Sequence, residues 1–445
     1  MDENRPFSRR QFLLMAGTLL AGTGLARACR LLGRRTGQAH QPRLTRQATE
    51  PVDTPTTAPQ ATERPLPASP IPTATSVATP TPSPTATPLS AAPRVVHVRD
   101  SDATKWDFAT GWYGDYVDQD VVYQMVDQGV MHLTGTTTRA AAWEALMPNY
   151  VPAQRVAIKV NLNNAGSEGD SDNIIDALIQ PVNAVIRGLM EIGVTESDIW
   201  VYDAVRWIPN RFRNGCDFPG LQFSGAWGTN AQGFSATERV SFEPRPGGPS
   251  LADQRISNVL ASADYLINMP IMKKHGIAYV TLSFKNHFGS IENPAALHDY
   301  VEPSSSVHTP EYNPMVDIYK NRHFVGKTVL TIGDGLYGCR PHNYAEPEPW
   351  VTFSNQAPNS LFFSKDPVAI DCVMYDFLEA ELGVQSGADD YLMLAAQEGL
   401  GVFEHRASGA SGSEEWYSLI DYVCLDLNQS VKLAAWSRDG RAYLS

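Results

Sequence analysis

Between Val156 and Asp203 the chain reads as strand, helix and strand, and this unit constrains the fold more than any other stretch. Val156–Val160 (VAIKV) is a short apolar run that ends in Asn161, Leu162 and Asn163. A helix follows, with Pro181 in its first turn, Val182, Val185, Ile186, Leu189 and Met190 on one face, and Gly193 as its stop. Residues 198–202 (DIWVY) form the next strand and lead to Asp203. Two strands joined by a helical crossover are expected to be parallel neighbours in one sheet. The expected fold class is α/β: a mostly parallel sheet flanked by helices, with room for two lobes.

Other segments extend the pattern. Residues 94–98, 265–269, 327–332 and 360–363 read as strands, and residues 118–129 and 390–398 as helices. Residues 256–260 suit a short helix, and Asp366 with Pro367 opens another as N-cap and first helical residue. Residues 206–254 are aromatic, Gly-rich and Pro-rich without a period, and read as an excursion over one end of the sheet. No fixed-period repeat is present.

The fold draws on only part of the 445 residues. Ser8-Arg9-Arg10-Gln11-Phe12-Leu13, an apolar run to Leu25 and the small residues around Ala28 have the order of a twin-arginine signal peptide over residues 1–28. That apolar run is too short to span a bilayer. Residues 29–93 are rich in Pro, Thr, Ser and Ala, cannot bury enough apolar surface to offset ordering, and read as an extended stalk. Residues 94–445 are the folded domain. Cys29 follows the expected cut and is a candidate lipid anchor, although Leu25 stands one residue farther upstream than a lipobox places it. The expectation is export across a bacterial cytoplasmic membrane by the twin-arginine machinery, with membrane contact only through that lipid. This route carries folded proteins, often with a cofactor inserted beforehand.

The formal charge of −13 argues against a non-specific nucleic-acid surface. Five cysteines without a C-x-x-C pair supply neither a zinc ribbon nor an iron–sulfur ligand run, and a disulfide among the last four stays open.

The site is expected within residues 264–293, DYLINMPIMKKHGIAYVTLSFKNHFGSIEN with its opening aspartate at 264. A buried strand empties past Pro270 into Lys273, Lys274 and His275, and ten residues beyond His275 stand Lys285, Asn286 and His287. In a parallel sheet the carboxyl ends of the strands share one edge, where ligands bind. That edge would collect Asn161, Asn163, Asp203, Lys273 to His275, Asp334 and Asp366. The bland readings are a solvated loop, turn-forming aspartates at 203 and 334, and a helix cap at Asp366. Lys159 sits inside an apolar strand and must pair or snorkel. Six of the ten histidines fall between positions 275 and 342, yet no H-E-x-x-H spacing defines a metal. His275, His298 and Asp203 are the candidate ligands for one.

VAIKVNL, DYLINMPIMKKHGIAYVTLSFKNHFGSI, TIGDGLYG and SKDPVAIDCV, in that order, resemble the uncharacterised family called domain of unknown function 362. The resemblance runs from residue 94 to about 401. It implies that Lys273, His275, Thr281, Lys285, Asn286 and Gly289 belong to the family's shared site. Some relatives add a ferredoxin-like module, for which this chain lacks the cysteines. More distantly, the segment is similar to nickel-pincer lactate racemases, where a histidine stands ten residues before the lysine that holds the cofactor. This likeness implies an acid–base or ligand role for His275 and an anchoring role for Lys285. Leu282-Ser283-Phe284 replace the racemases' Gly-Gly pair, and Asn286 follows the uncharacterised family instead.

Three functional readings follow. One is an exported enzyme, isomerase-like, racemase-like or redox-linked. It would use His275 and Lys285 as chemical groups, Lys159, Asn161 and Asp334 beside them, and a transition metal or lysine-linked metal cofactor. Its lysines favour an anionic small molecule. A second is a surface-tethered protein that captures an anion or metal without chemistry. A third is an envelope protein whose lysines pair with Asp203, Asp334 and Asp371 in a buried salt-bridge network.

Overall fold

Successive side chains along the central strands point alternately into two different apolar cores, which fixes a sheet covered on both faces. Val156, Ile158 and Val160 enter one core with Ile267, Met269, Leu361 and Phe363. Ala157, Leu266, Phe362 and Tyr202 enter the other. The structure is a computed structural model that describes residues 92–228, 230–340, 342, 344–383, 386–407 and 416–428, with the backbone of 435–436 and 442–443. The expected signal peptide, Cys29 and all of the expected stalk but residues 92–93 lie outside the described residues.

The strands in chain order are β1 (Arg94–Arg99), β2 (Val156–Val160), β3 (Ile199–Tyr202), β4 (Gln222–Ser224), β5 (Phe234–Val240), β6 (Gln254–Ser257), β7 (Tyr265–Met269), β8 (Lys273–His275), β9 (Tyr279–Thr281), β10 (Thr328–Gly335), β11 (Ser360–Ser364) and β12 (Asp421–Asp426). Eight of them form the main sheet in the order β12-β1-β11-β10-β7-β2-β3-β4, while β5–β6 and β8–β9 are separate two-stranded pairs. β10, β7, β2, β3 and β4 run parallel. β11 is antiparallel to both neighbours, β1 and β10, and β1 is parallel to β12. The architecture is thus the expected mostly parallel α/β sheet flanked by helices.

Helices Gln119–Thr134 and Ile179–Glu191 cover the first core, and Pro367–Leu382 and Asp390–Gln397 cover the second. Asp118 caps the helix Gln119–Thr134 by accepting from Asp120 and Val121, and Gly135 ends it at φ 70°. The helix runs five residues past Gly129, where the sequence reading ended. A Cβ there would lie 2.3 Å from the Phe363 ring, so the glycine lets helix and sheet close up.

The reversal of β11 corrects one expectation about the site edge. Asp366 leaves β11 at the opposite edge from Asp334, where it accepts from Val368 and Ala369 as a helix cap and from Val402. The stretch 206–254 contains β4, β5 and the short helix Asn210–Asn214. The four described cysteines, Cys216, Cys339, Cys372 and Cys424, are free thiols. No helix among the described residues is long and apolar enough to cross a membrane.

Candidate functional site

At the carboxyl edge of the sheet, β2 delivers Asn161, β3 delivers Asp203, and β7 runs through Pro270 into the β8–β9 hairpin. The hairpin pairs Lys273 with Thr281 and His275 with Tyr279. The chain then makes the helical turn Ser283–Asn286 and the tight turn His287–Ser290. The first of these turns is held from below by Asp371, whose carboxylate accepts from the amides of Ser283 at 2.8 Å and Phe284 at 3.3 Å. It also accepts from the Tyr391 hydroxyl at 3.0 Å. Asp371 therefore supports the site from the core and pairs with no lysine among the described residues.

Asn286 is the hub. Its Oδ1 accepts from Lys159 Nζ and from Asn161 Nδ2, each at 3.3 Å. Its Nδ2 donates to Asn268 Oδ1 at 2.7 Å and to the Lys159 carbonyl at 3.3 Å. Lys159 is fully buried and pairs with Asp203 Oδ2 at 3.1 Å, an oxygen that also accepts from the Leu162 amide at 3.2 Å. Burial pushes the Lys159 amine below its ordinary value, and Asp203 opposes this. The requirement that Lys159 pair is met, and the pair serves as the floor of the site.

Above that floor is a cleft with about 50 Å³ of free volume, lined in part by Asn161, Asp203, Arg206, His275, Thr281, Lys285, Asn286, Gly289 and His298. This space suits roughly three or four waters or one small ion. A broader, shallow groove beside Met190, Thr195 and Gly220 gathers a single carboxylate, Glu196, and no cluster of chemical groups.

Lys285 Nζ lies 3.3 Å from His298 Nε2 and 3.5 Å from the centroid of the Phe288 ring. Burial, then Arg206 and Lys273, hold the Lys285 amine well below the ordinary lysine value. The Phe288 ring favours an ammonium by on the order of 2 kcal/mol, which works against those effects without cancelling them. His298 is lowered to about 3, first by burial and then by Lys285. Its bond to the Ala295 backbone leaves Nε2 as the acceptor that faces Lys285.

His275 is buried, and its Nδ1 accepts from the amides of Ile277 at 3.0 Å and Ala278 at 3.1 Å. Burial, then Lys285 and His298, keep it well below the usual histidine range. With Nδ1 taken, the neutral ring carries its proton on Nε2 and acts as a hydrogen-bond donor. Its ring stacks on His298 with centroids 6.0 Å apart. Tyr279, at φ 60°, closes this hairpin in the left-handed region.

Two candidates lie off the cleft. Lys273 donates to the Ile175 carbonyl at 3.1 Å, and its burial lowers its amine. Asp334 accepts from the Leu336 amide at 3.0 Å, and burial raises it to about 6. Neither pairs with the other, so the expected lysine–aspartate network reduces to Lys159 and Asp203. Among the described residues no three His, Cys, Asp or Glu side chains are placed to hold a metal, so His275, His298 and Asp203 do not form a ligand triad. His287 is a core residue between Tyr319 and Phe324.

Arg206 was missed in the sequence because it opens the stretch without a period. Its position three residues after the β3 aspartate was the available signal. Its guanidinium donates to the Asn163 carbonyl at 2.7 Å, to Asn163 Oδ1 at 2.9 Å and to the Val205 carbonyl at 3.0 Å. Neither Arg206 nor Lys285 forms an ion pair with a carboxylate among the described residues. The Thr281 hydroxyl is also buried without a partner.

Fold and site together define an α/β protein with a buried Lys–Asn–Asp floor under a small, cation-lined cleft at the carboxyl edge of its sheet. Residues 156–376 match the model of the family described as domain of unknown function (DUF362), and the chain belongs to that family. The match opens on β2 and ends inside the helix Pro367–Leu382, so it takes in the whole cleft. No curated protein matches the chain. The residues present do not fit a lysine-linked metal cofactor: the cleft is several-fold smaller than the roughly 300 Å³ at which cofactor pockets begin, and among the described residues no ligand set converges beside Lys285.

Proposed function

We propose that the cleft binds a small anion, such as a short carboxylate, and that Lys285 is its acid–base group. One observation carries this reading: Arg206 and Lys285 line the same small cavity, and neither has a carboxylate partner among the described residues. By contrast Lys159 is paired with Asp203, while Lys273 donates to the Ile175 carbonyl away from the cleft and the half-buried Arg206 spends its bonds on the neutral acceptors of Asn163 and Val205.

An arriving anion would supply the missing charge. It would accept from the charged Arg206 guanidinium and from the neutral Nε2–H of His275. It would also screen Lys285 from Arg206 and so favour the ammonium. Anion binding is thereby coupled to proton uptake at Lys285, which is how a neutral amine acts as a base toward an acidic substrate.

We also propose that the protein is exported by the twin-arginine route and held at the envelope on its Pro/Thr/Ser-rich stalk. The ordered signal elements of residues 1–28 and the composition of residues 29–93 support this. The anion reading is tested by calorimetric titration of the protein with acetate, oxalate and phosphate in two buffers of different ionisation heat. Saturable binding with proton uptake is expected, weakened about tenfold or more in Arg206→Ala, since a charge-assisted bond is worth about 1.5–3 kcal/mol. No binding of any of the three, with the fold intact by circular dichroism, would overturn it.

A further inference from the structure

We propose that the small anion is a 2-oxo acid and that Lys285 joins it as an imine. This rests on the anion-site reading above and names its substrate class.

The argument begins with what Lys285 faces. The side chain is buried, and among the described residues its nitrogen bonds to His298 Nε2 and lies over the Phe288 ring. His298, itself part of the cleft lining, accepts one N–H and has its other nitrogen bonded to backbone, so it fixes the amine's orientation. Among the described residues no carboxylate ties the amine down as an ammonium, unlike Lys159 in the same site. A buried amine beside other cations is the standard setting for a nucleophilic lysine.

The remaining cleft groups match the two ends of a 2-oxo acid. Arg206 lines the cleft and, beyond its bonds to Asn163 and Val205, keeps a second N–H on each terminal nitrogen for a carboxylate, and the cavity's size limits the ligand to a few heavy atoms. A carbonyl oxygen beside Lys285 needs hydrogen-bond donors. The Thr281 hydroxyl is 3 % exposed, lines the cleft and has no partner of its own, and His275 carries its proton on Nε2. A buried hydroxyl left unbonded costs free energy in the free protein, and a ligand oxygen would remove that cost.

The step is balanced without an oxidant or reductant. The Lys285 nitrogen lone pair forms the N–C bond as the carbonyl π pair moves to oxygen. One amine proton passes to that oxygen, giving a carbinolamine. The C–O bond then breaks and the second amine proton leaves with the oxygen, so one water departs for each imine formed.

The test treats the whole protein with pyruvate and borohydride, then maps the modified peptide by mass. Reduction converts the imine to a stable secondary amine. The expected result is one carboxyethyl group per chain on Lys285, reduced about tenfold in Arg206→Ala at sub-saturating pyruvate. Propionate, which has no ketone, should compete without leaving an adduct. Mapping the wild-type protein needs no variant to fold, and Lys285→Arg serves as the matched control. Calorimetric binding of pyruvate with no adduct on Lys285 would overturn the imine and leave the anion site standing. Adducts spread over surface lysines, equally abundant in Lys285→Arg, would also overturn it. Absence of both binding and adduct would overturn both readings.

Discussion

A Cβ placed on Gly289 would lie 2.5 Å from Lys159 Nζ and 2.6 Å from Asp203 Oδ1. The glycine is there for closeness, and it lets the turn that follows Lys285 rest directly on the buried ion pair. Neither partner has room to retreat, since Lys159 is fully buried and also bonded to Asn286. Gly289→Ala is therefore expected to cost about 1–3 kcal/mol, read as a lower urea midpoint, together with weaker anion binding. An unchanged midpoint would show that the turn shifts freely.

The pair itself should behave as a buried one. Lys159→Met leaves the Asp203 carboxylate without its cation and should cost about 3–5 kcal/mol. Adding Asp203→Leu should recover part of that loss, because the stranded charge is then gone. A double-mutant cycle in urea measures the coupling, and additive losses would show that the two side chains act independently.

Legibility from sequence followed the physics of each signal. The β2–helix–β3 unit was readable because a helical period between two apolar runs has one right-handed solution. The strand emptying into Lys273, His275 and Lys285 was readable because ionisable residues crowd the end of an apolar run. The direction of β11 was not, since a run buried on both faces has no feature that distinguishes parallel from antiparallel pairing. Asp366 was assigned to the wrong edge for that reason. β12 was missed because the alternating burial of Asp421–Asp426 gives only two buried apolar positions. Lys159 announced that it needed a partner, but the hub role of Asn286 depends on turns that no local pattern encodes. Asp371 looked like a lysine partner and instead holds backbone amides, a contact spanning more than eighty residues.

That contact gives a third prediction. Asp371→Asn replaces one acceptor oxygen by an NH₂ group and loses at least one bond to Ser283, Phe284 or Tyr391. The expected cost is about 1–3 kcal/mol in urea. The turn carrying Lys285 should also loosen, seen as faster amide hydrogen exchange at Phe284 and Lys285. Unchanged exchange at these amides would place the support of the turn elsewhere.

A fourth prediction concerns pH. His405 bonds to Asp376 Oδ1 at 2.7 Å and lies 3.4 Å from Asp389 Oδ2. Burial alone would lower its pKa, but the two aspartates outweigh burial and raise it from 6.5 to about 9. A raised folded value means that the contribution to stability is complete below the unfolded value and disappears as pH climbs through the folded one. Stability should therefore fall between about pH 6.5 and 9, by roughly 2 kcal/mol after allowance for partial exposure. His405→Gln should flatten that part of the profile. An equal slope in wild type and variant would assign it to other groups.

The central claim is that Lys285 stands uncharged in an anion-binding cleft, and competitive acetylation of its amine across a pH series tests this most directly. Peptide mass spectrometry follows the Lys285 peptide with and without oxalate. The account predicts a titration midpoint well below the ordinary lysine value of 10.5, moving upward when oxalate fills the cleft. A midpoint at the ordinary value, indifferent to oxalate, would contradict it.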